Sequence, residues 1–231
     1  WRRALRSCFD LGRGVTAIDS EIRRAPTELT TPHTSVVLCT WNGARWLPEF
    51  LRSLAAQDLL PDELVVQDDA SSDDTVAILE AFAETVDFPV LLEVNERQIG
   101  STRNFERAMA RSRGQIVALA DQDDLWYPNK LARLVEVLDE DPILTLAFSD
   151  ADILDPSGAQ TGRGLWESRG TARFLRGHEV VPGPMFARRA LTTGCTMAAR
   201  RRGVDAALPF PAALDDPCAP MRHDRWLSLV A

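Results

Sequence analysis

Ala118-Leu119-Ala120-Asp121-Gln122-Asp123-Asp124-Leu125-Trp126 reads as a buried strand that ends in a knot of carboxylates. Gln115 to Ala120 is an apolar run of strand length, and after Tyr127-Pro128 a helical pattern runs from Lys130 to Leu138. Three acids in four positions repel one another unless a cation holds them. A divalent ion carrying a substrate's phosphates does so, because Mg2+ and Mn2+ take one or two carboxylates together with phosphate and water oxygens. An acidic loop or a helix start would give the same letters, since Asp is favoured at helix N-termini. The position at a strand's carboxyl end weighs for the ligand site, because open α/β sheets bind there.

Outward from this stretch, strands and helices alternate. Ser35–Thr40 is an apolar β-rich run, Asn42-Gly43 turns, and Arg45–Gln57 carries Trp46, Phe50, Leu51 and Leu54 on one helical face. Glu63–Gln67 is the next strand, and Asp68 to Thr75 leads into a helix through Glu84. Val90–Val94 is a third strand, Gly100 precedes a helix over Ser101–Arg111, and Thr145–Ser149 is a fifth strand after Gln115–Ala120. The alternation predicts an α/β fold, a Rossmann-like, mostly parallel sheet with helices on both faces. Beyond Asp150 the Gly and Pro punctuation predicts a hairpin and loops.

The domain is expected over residues 33–231, with residues 1–32 an N-terminal helical appendage and linker. Trp1, Leu5, Cys8, Phe9 and Gly12 follow helical spacing among Arg2, Arg3, Arg6 and Arg13. Such a basic amphipathic helix packs on protein or lies on a membrane surface. The chain begins with Trp and stops in the uncapped apolar run Trp226–Ala231, so a piece of a longer protein is expected.

Composition narrows the function classes. With 26 basic and 34 acidic residues the 231-residue chain has a formal charge of −8, which excludes nucleic acid as the expected partner. No apolar run reaches the roughly 18–20 residues that cross a membrane, and the Arg-rich start does not read as a secretory leader. Cys8, Cys39, Cys195 and Cys218 lack zinc or CxxC spacing, which fits free thiols in a reducing cytoplasm. His33 and His178 have no partners at ligand spacing.

Three polar clusters fall at strand ends: Thr40-Trp41-Asn42-Gly43, Asp68-Asp69-Ala70-Ser71 and Asp121-Gln122-Asp123-Asp124. Parallel strands put all three on one edge of the sheet, which makes them one site. Ser72, Asp73 or Asp74 suffices to cap the helix that follows the second cluster. Asp68 and Asp69 lie upstream of that cap, where a carboxylate can accept the N3–H of a pyrimidine ring.

The segments SVVLCTWNGARWLPEFLRSLAAQ, ELVVQDDASSDDT, RQIGSTRNFERAMARSRGQIVALADQDDLW, TGCTMAARR and HDRW, in this order, resemble family 2 glycosyltransferases of the GT-A fold. Among these they are similar to rhamnosyltransferase-like members of bacterial polysaccharide assembly. The resemblance implies a UDP- or dTDP-sugar donor, Mg2+ or Mn2+ and inversion at the anomeric carbon. It places Thr40 and Asn42 at the base and ribose, and Asp69 with Asp68 at the pyrimidine. Arg103 is placed at the donor diphosphate or base, and Gln122 lies within the DxD stretch. Asp123 is placed at the metal and Asp121 at the ribose or metal. Thr193, Gly194 and Cys195 would line the sugar and acceptor side. Asp224 falls where the family has its catalytic base. His223 is a candidate metal ligand or acceptor contact, and Trp126 and Trp226 are candidates to stack on a sugar, with core packing the ordinary alternative.

An acceptor hydroxyl is a poor nucleophile at neutral pH, so a carboxylate must take its proton as the bond to the anomeric carbon forms. The expected acceptor is a glycan or a lipid-linked glycan, met by peripheral contact at the inner face of the membrane. A nucleotidyltransferase would need a Gly-rich basic loop where Asn42-Gly43-Ala44-Arg45 stands. A phosphatase of the D-x-D-x-T kind is excluded by Leu125. The rival from another class is a catalytically inactive nucleotide-sugar-binding or scaffold domain.

Overall fold

A computed structural model describes residues 5–7, 32–175, 191–216 and 221–231. The central sheet has six strands. Four are parallel neighbours: β2 (Thr34–Thr40), β3 (Glu63–Asp68), β4 (Val90–Val94) and β5 (Ile116–Asp121), in the order β4-β3-β2-β5. Next to β5 lies β10 (Met197–Arg200), antiparallel to it, and then β7 (Leu146–Phe148) at the edge.

Side-chain alternation divides the core into two layers. Val36 and Leu38 of β2 face one side with Leu64, Val66, Ala118 and Ala120, while Val37 faces the other with Val65, Val117 and Leu119. The first face is covered by α1 (Leu47–Ala55), α2 (Thr75–Ala83) and α4 (Lys130–Glu140) through Phe50, Leu54, Leu79, Leu131 and Leu134. The second is covered by α3 (Ser101–Arg111), α7 (Arg201–Ala207) and α8 (His223–Val230) through Phe105, Met109, Val204 and Leu227. Burial on both faces is why β2, β3 and β5 read as unbroken apolar runs rather than alternating ones. The expected mostly parallel sheet between two helical layers is present.

A smaller sheet has the order β6-β1-β8-β9, from β6 (Leu125–Trp126), β1 (Leu5–Ser7), β8 (Ala151–Leu154) and β9 (Gln160–Gly164). The antiparallel β8 and β9 are the hairpin expected beyond Asp150. Two short helices follow, α5 (Leu165–Ser168) and α6 (Ala172–Leu175).

Two features differ from the sequence reading. Leu5–Ser7 is extended, parallel to β6 and antiparallel to β8, where helical spacing was expected. Pairing on both sides gives three residues more backbone hydrogen bonds than an isolated helical turn would. The rest of that segment, with Cys8, His178 and Cys218, lies outside the described residues. The second difference is β10, which was read only as part of a motif. Met197-Ala198-Ala199-Arg200 is short and alanine-rich, and alanine carries little β preference.

Candidate active site at the carboxyl edge of the sheet

β2, β3 and β5 end side by side, with Thr40 opposite Asp68 and Cys39 opposite Asp121. The three polar clusters therefore do share one edge. At β3 the fully buried Asp68 carboxylate is filled by the chain. It accepts the Thr40 hydroxyl at 2.6 Å, the Ser71 N–H at 2.7 Å and the Ser71 hydroxyl at 2.6 Å. Asp69 accepts the Asn95 amide at 2.9 Å and the backbone N–H groups of Ile99 at 2.7 Å and Gly100 at 2.8 Å. A carboxylate has about four acceptor positions, so Asp69 keeps one for a ligand. Gly100 has φ +87°, a left-handed value that favours glycine, and this turn brings its N–H to Asp69 at the head of α3.

Asn42, with φ 45°, bridges the first two clusters. Its N–H donates to Ser71 Oγ at 2.8 Å and its Oδ1 accepts the Ser72 N–H at 2.8 Å. Asp73 accepts from the Thr75 N–H at 3.0 Å and the Ala44 N–H at 3.1 Å, so one acid does cap α2 while Asp68 and Asp69 stay upstream.

The third cluster concentrates charge. Oxygen and sulfur atoms of Asp121, Asp124 and Cys195 lie within 4.8 Å of one another. Burial, then the charges of Asp124, Asp123 and Asp224, push the Asp121 carboxyl up to about 8, against the pull of Lys130. Burial, followed by Asp124 and Asp121, pushes the Cys195 thiol well up, and a soft sulfur matches a hard cation poorly. Burial pulls the Lys130 ammonium down to about 8. The two carboxylates fit Mg2+ or Mn2+, and their mutual repulsion is what such a cation would relieve. The converging pair is Asp121 and Asp124; Asp123 acts on Asp121 by charge, and His223 is not among the converging atoms.

The opposite wall comes from the distant part of the chain. Because β10 is antiparallel to β5, its start lies where β5 ends. The 3-10 turn Gly194–Thr196 precedes it. The Gly194 N–H donates to Asp224 Oδ2 at 3.3 Å, and Thr193 Oγ1 accepts from Arg169 at 2.8 Å. Asp224, in the first turn of α8, lies near enough to Asp121 to raise its carboxyl. The neighbouring His223 ring stacks on Phe105 with centroids 4.0 Å apart and planes at 19°, and burial pulls its pKa down.

Thr40, Asn42, Asp68, Asp69, Asp121, Gln122, Asp123, Gly194, Cys195 and Asp224 thus gather at one edge. Three candidates are engaged elsewhere. The Arg103 guanidinium grips Asp215 at 2.5 and 2.7 Å, Glu106 at 2.6 Å and the Phe210 carbonyl at 3.0 Å. Asp215 is therefore a specific partner of Arg103. Trp126 is buried edge-on to Phe50 at 5.9 Å, and Trp226 donates its indole N–H to the Ala207 carbonyl at 2.9 Å. Core packing, the ordinary alternative, describes both tryptophans. Sequence reasoning missed Asn95, which holds Asp69, and Lys130, which holds the Cys195 carbonyl. An isolated Asn in a loop gives no signal, but Lys130 had one, as a cation opening an otherwise apolar helix face.

Comparison with known proteins agrees with this geometry. The model of the family described as glycosyl transferase family 2 matches residues 35–205. The chain is 30% identical over 108 residues to the dTDP-rhamnosyl transferase RfbG of Shigella flexneri, covering 44% of this chain and 36% of that one. Among solved structures it resembles Staphylococcus aureus TarS 1-349 in complex with UDP, with a TM-score of 0.62 and 24% identity over 80% of this chain and 52% of that one. It also resembles the mannosyltransferase PcManGT of Pyrobaculum calidifontis in complex with GDP-Man and Mn2+, with a TM-score of 0.59 and 25% identity over 81% and 50% of the two chains. The chain spans 37% of the length of several curated relatives it matches. With its sheet order and its strand-end acids inside the matched region, the chain has the GT-A fold and belongs to glycosyl transferase family 2.

Proposed function

We propose that this chain carries the catalytic site of an inverting, metal-dependent glycosyltransferase of bacterial glycan synthesis, over residues 33–231 with 1–32 as an appendage. The donor is a UDP- or dTDP-sugar and the acceptor a glycan or lipid-linked glycan at the inner face of the membrane. Rhamnose is the favoured sugar, on the motif resemblance and on the likeness to RfbG. One observation carries the reading: Asp224 accepts the Gly194 N–H at 3.3 Å, in the turn that leads into β10 beside the acidic end of β5, far from it in sequence.

In this reading Thr40, Asn42 and Asp69 line the nucleoside. Asp121, with Asp123 and Asp124, would hold Mg2+ or Mn2+, which when bound offsets the charge that develops on the departing nucleoside diphosphate. Asp224 accepts the proton of the acceptor hydroxyl as its oxygen bonds the anomeric carbon on the face opposite the leaving group. Configuration inverts, and no covalent enzyme intermediate forms. Gly194 and Cys195 shape the wall between the sugar and Asp224.

The test is calorimetric titration of UDP and dTDP, with and without Mn2+, on wild type, Asp121→Asn, Asp123→Ala and Asp224→Asn. Metal-dependent binding is expected in wild type and Asp224→Asn and lost in the other two. Transfer from the donor that binds should fall about 10²–10⁴-fold in Asp224→Asn. A folded wild type that binds neither nucleotide would leave the acids as caps and favour a scaffold domain.

A further inference from the structure

Lys130 is the only lysine of the chain; each of its other basic residues, 26 in all with Lys130, is arginine. It is also 1% exposed. As the first residue of α4 it places an ammonium at the positive end of a helix and out of water, and both disfavour a cation. Helix stability therefore does not account for it. Its surroundings do: the ammonium lies 3.8 Å from the Trp126 ring centroid and donates to the Cys195 carbonyl oxygen. One carbonyl, one ring face and the nearby charges of Asp124 and Asp121 suit a compact ammonium, whereas the five donors of a guanidinium fork would not all be met.

The Cys195 carbonyl belongs to the turn that also carries Gly194, and that turn is held on two further sides. Gly194 N–H donates to Asp224 at 3.3 Å, and the Thr196 carbonyl accepts the Ser149 N–H at 3.0 Å. We propose that Lys130 is a positioning residue, which pins the Gly194–Thr196 turn against the acidic end of β5 and so fixes the amide on which Asp224 rests. The assignment rests on Asp224 being the base. A lysine that only filled a gap in the core would influence stability and nothing else.

Lys130→Met keeps the length and apolar stem of the side chain and removes its donor. Amide hydrogen exchange, nucleotide affinity and turnover are measured on wild type and variant. Exchange at Gly194 should quicken about tenfold or more while that of Val65 in the central sheet stays unchanged. Turnover at saturating substrates should fall about 10–100-fold, with the affinity for UDP or dTDP in Mn2+ altered less than about threefold. Unchanged Gly194 exchange or unchanged turnover overturns the proposal. If Lys130→Met does not fold, wild type labelled with 15N-lysine decides, because it has a single side-chain ammonium. Slow proton exchange and coupling to the Cys195 carbonyl carbon support the assignment, and a freely exchanging ammonium overturns it. Failure of wild type to bind either nucleotide overturns the transferase reading and the purpose given to Lys130. The exchange data still report separately whether Lys130 holds the turn.

Discussion

Gln122 grips the backbone of Trp41 with both ends of its side-chain amide: Oε1 accepts the Trp41 N–H at 2.9 Å and Nε2 donates to the Trp41 carbonyl at 3.1 Å. The residue between two acids thus ties the end of β5 to the end of β2, and Trp41 leads directly into Asn42. Gly43 leaves the space this needs, since a Cβ there would lie 2.2 Å from Gln122 Oε1.

Gln122→Ala should therefore cost about 1–3 kcal/mol in urea unfolding and weaken nucleotide binding, because the strand-end loop loosens. Gly43→Ala should act in the same direction by displacing the same amide. The double variant should lose less than the sum of the singles, as expected for two changes that break one clamp.

Arg103 and Asp215 set up a second comparison. Arg103→Ala removes the contacts that join α3 to the 3-10 helix Ala212–Asp215, and should cost about 1–3 kcal/mol of stability and lower UDP affinity. Asp215→Asn should cost less stability, because Glu106 and the Phe210 carbonyl still hold the guanidinium. Urea unfolding of both variants checks the order.

The Asp121 carboxyl, raised from an ordinary value near 3.8 to about 8, gives a pH signature. A raised folded-state pKa contributes stability that is present below 3.8 and lost as pH rises through about 8. Lys130, lowered from 10.5 to about 8, acts in the window above, where its cost is relieved as pH climbs toward 10.5. Between pH 5 and about 8 Asp121 governs, so the metal-free protein should melt lower at the upper end of that range. Mn2+ affinity should rise over the same range, by up to about tenfold per pH unit, because binding displaces a proton. Thermal melts in EDTA and in Mn2+ measure both.

Cys195 supplies a control. Its sulfur is soft and its thiol is held above the ordinary pKa, so Cys195→Ser should leave Mn2+ affinity within about threefold of wild type, despite its closeness to Asp121 and Asp124. A larger loss, measured by Mn2+ titration, would make the sulfur a ligand.

Much of the polar edge is legible in the sequence, because the strands that end at Thr40, Asp68 and Asp121 are short apolar runs that stop on polar residues. Strand alternation with helices then puts those ends on one edge without any knowledge of contacts. Arg103 was not legible in the same way. A guanidinium after Gly100 could reach a diphosphate or an acid, and the choice rests on Asp215, 112 residues away. Trp126 and Trp226 carry the same ambiguity, since an indole that stacks on a sugar and one that fills a core look alike in one dimension. Leu5–Ser7 has helical spacing yet is drawn into a sheet by strands on both sides, which local propensity cannot foresee.

The antiparallel course of β10 gives this site an order of assembly. β2, β3, β4 and β5 pair with one another, so Thr40, Asp69 and Asp121 are brought to one edge by strands that all lie within residues 34–121. The turn at Gly194 and the base candidate Asp224 come later in the chain and join that edge only when β10 pairs with β5. In the proposed reading, the residues of the nucleotide side are therefore all synthesised before those of the side that carries the base.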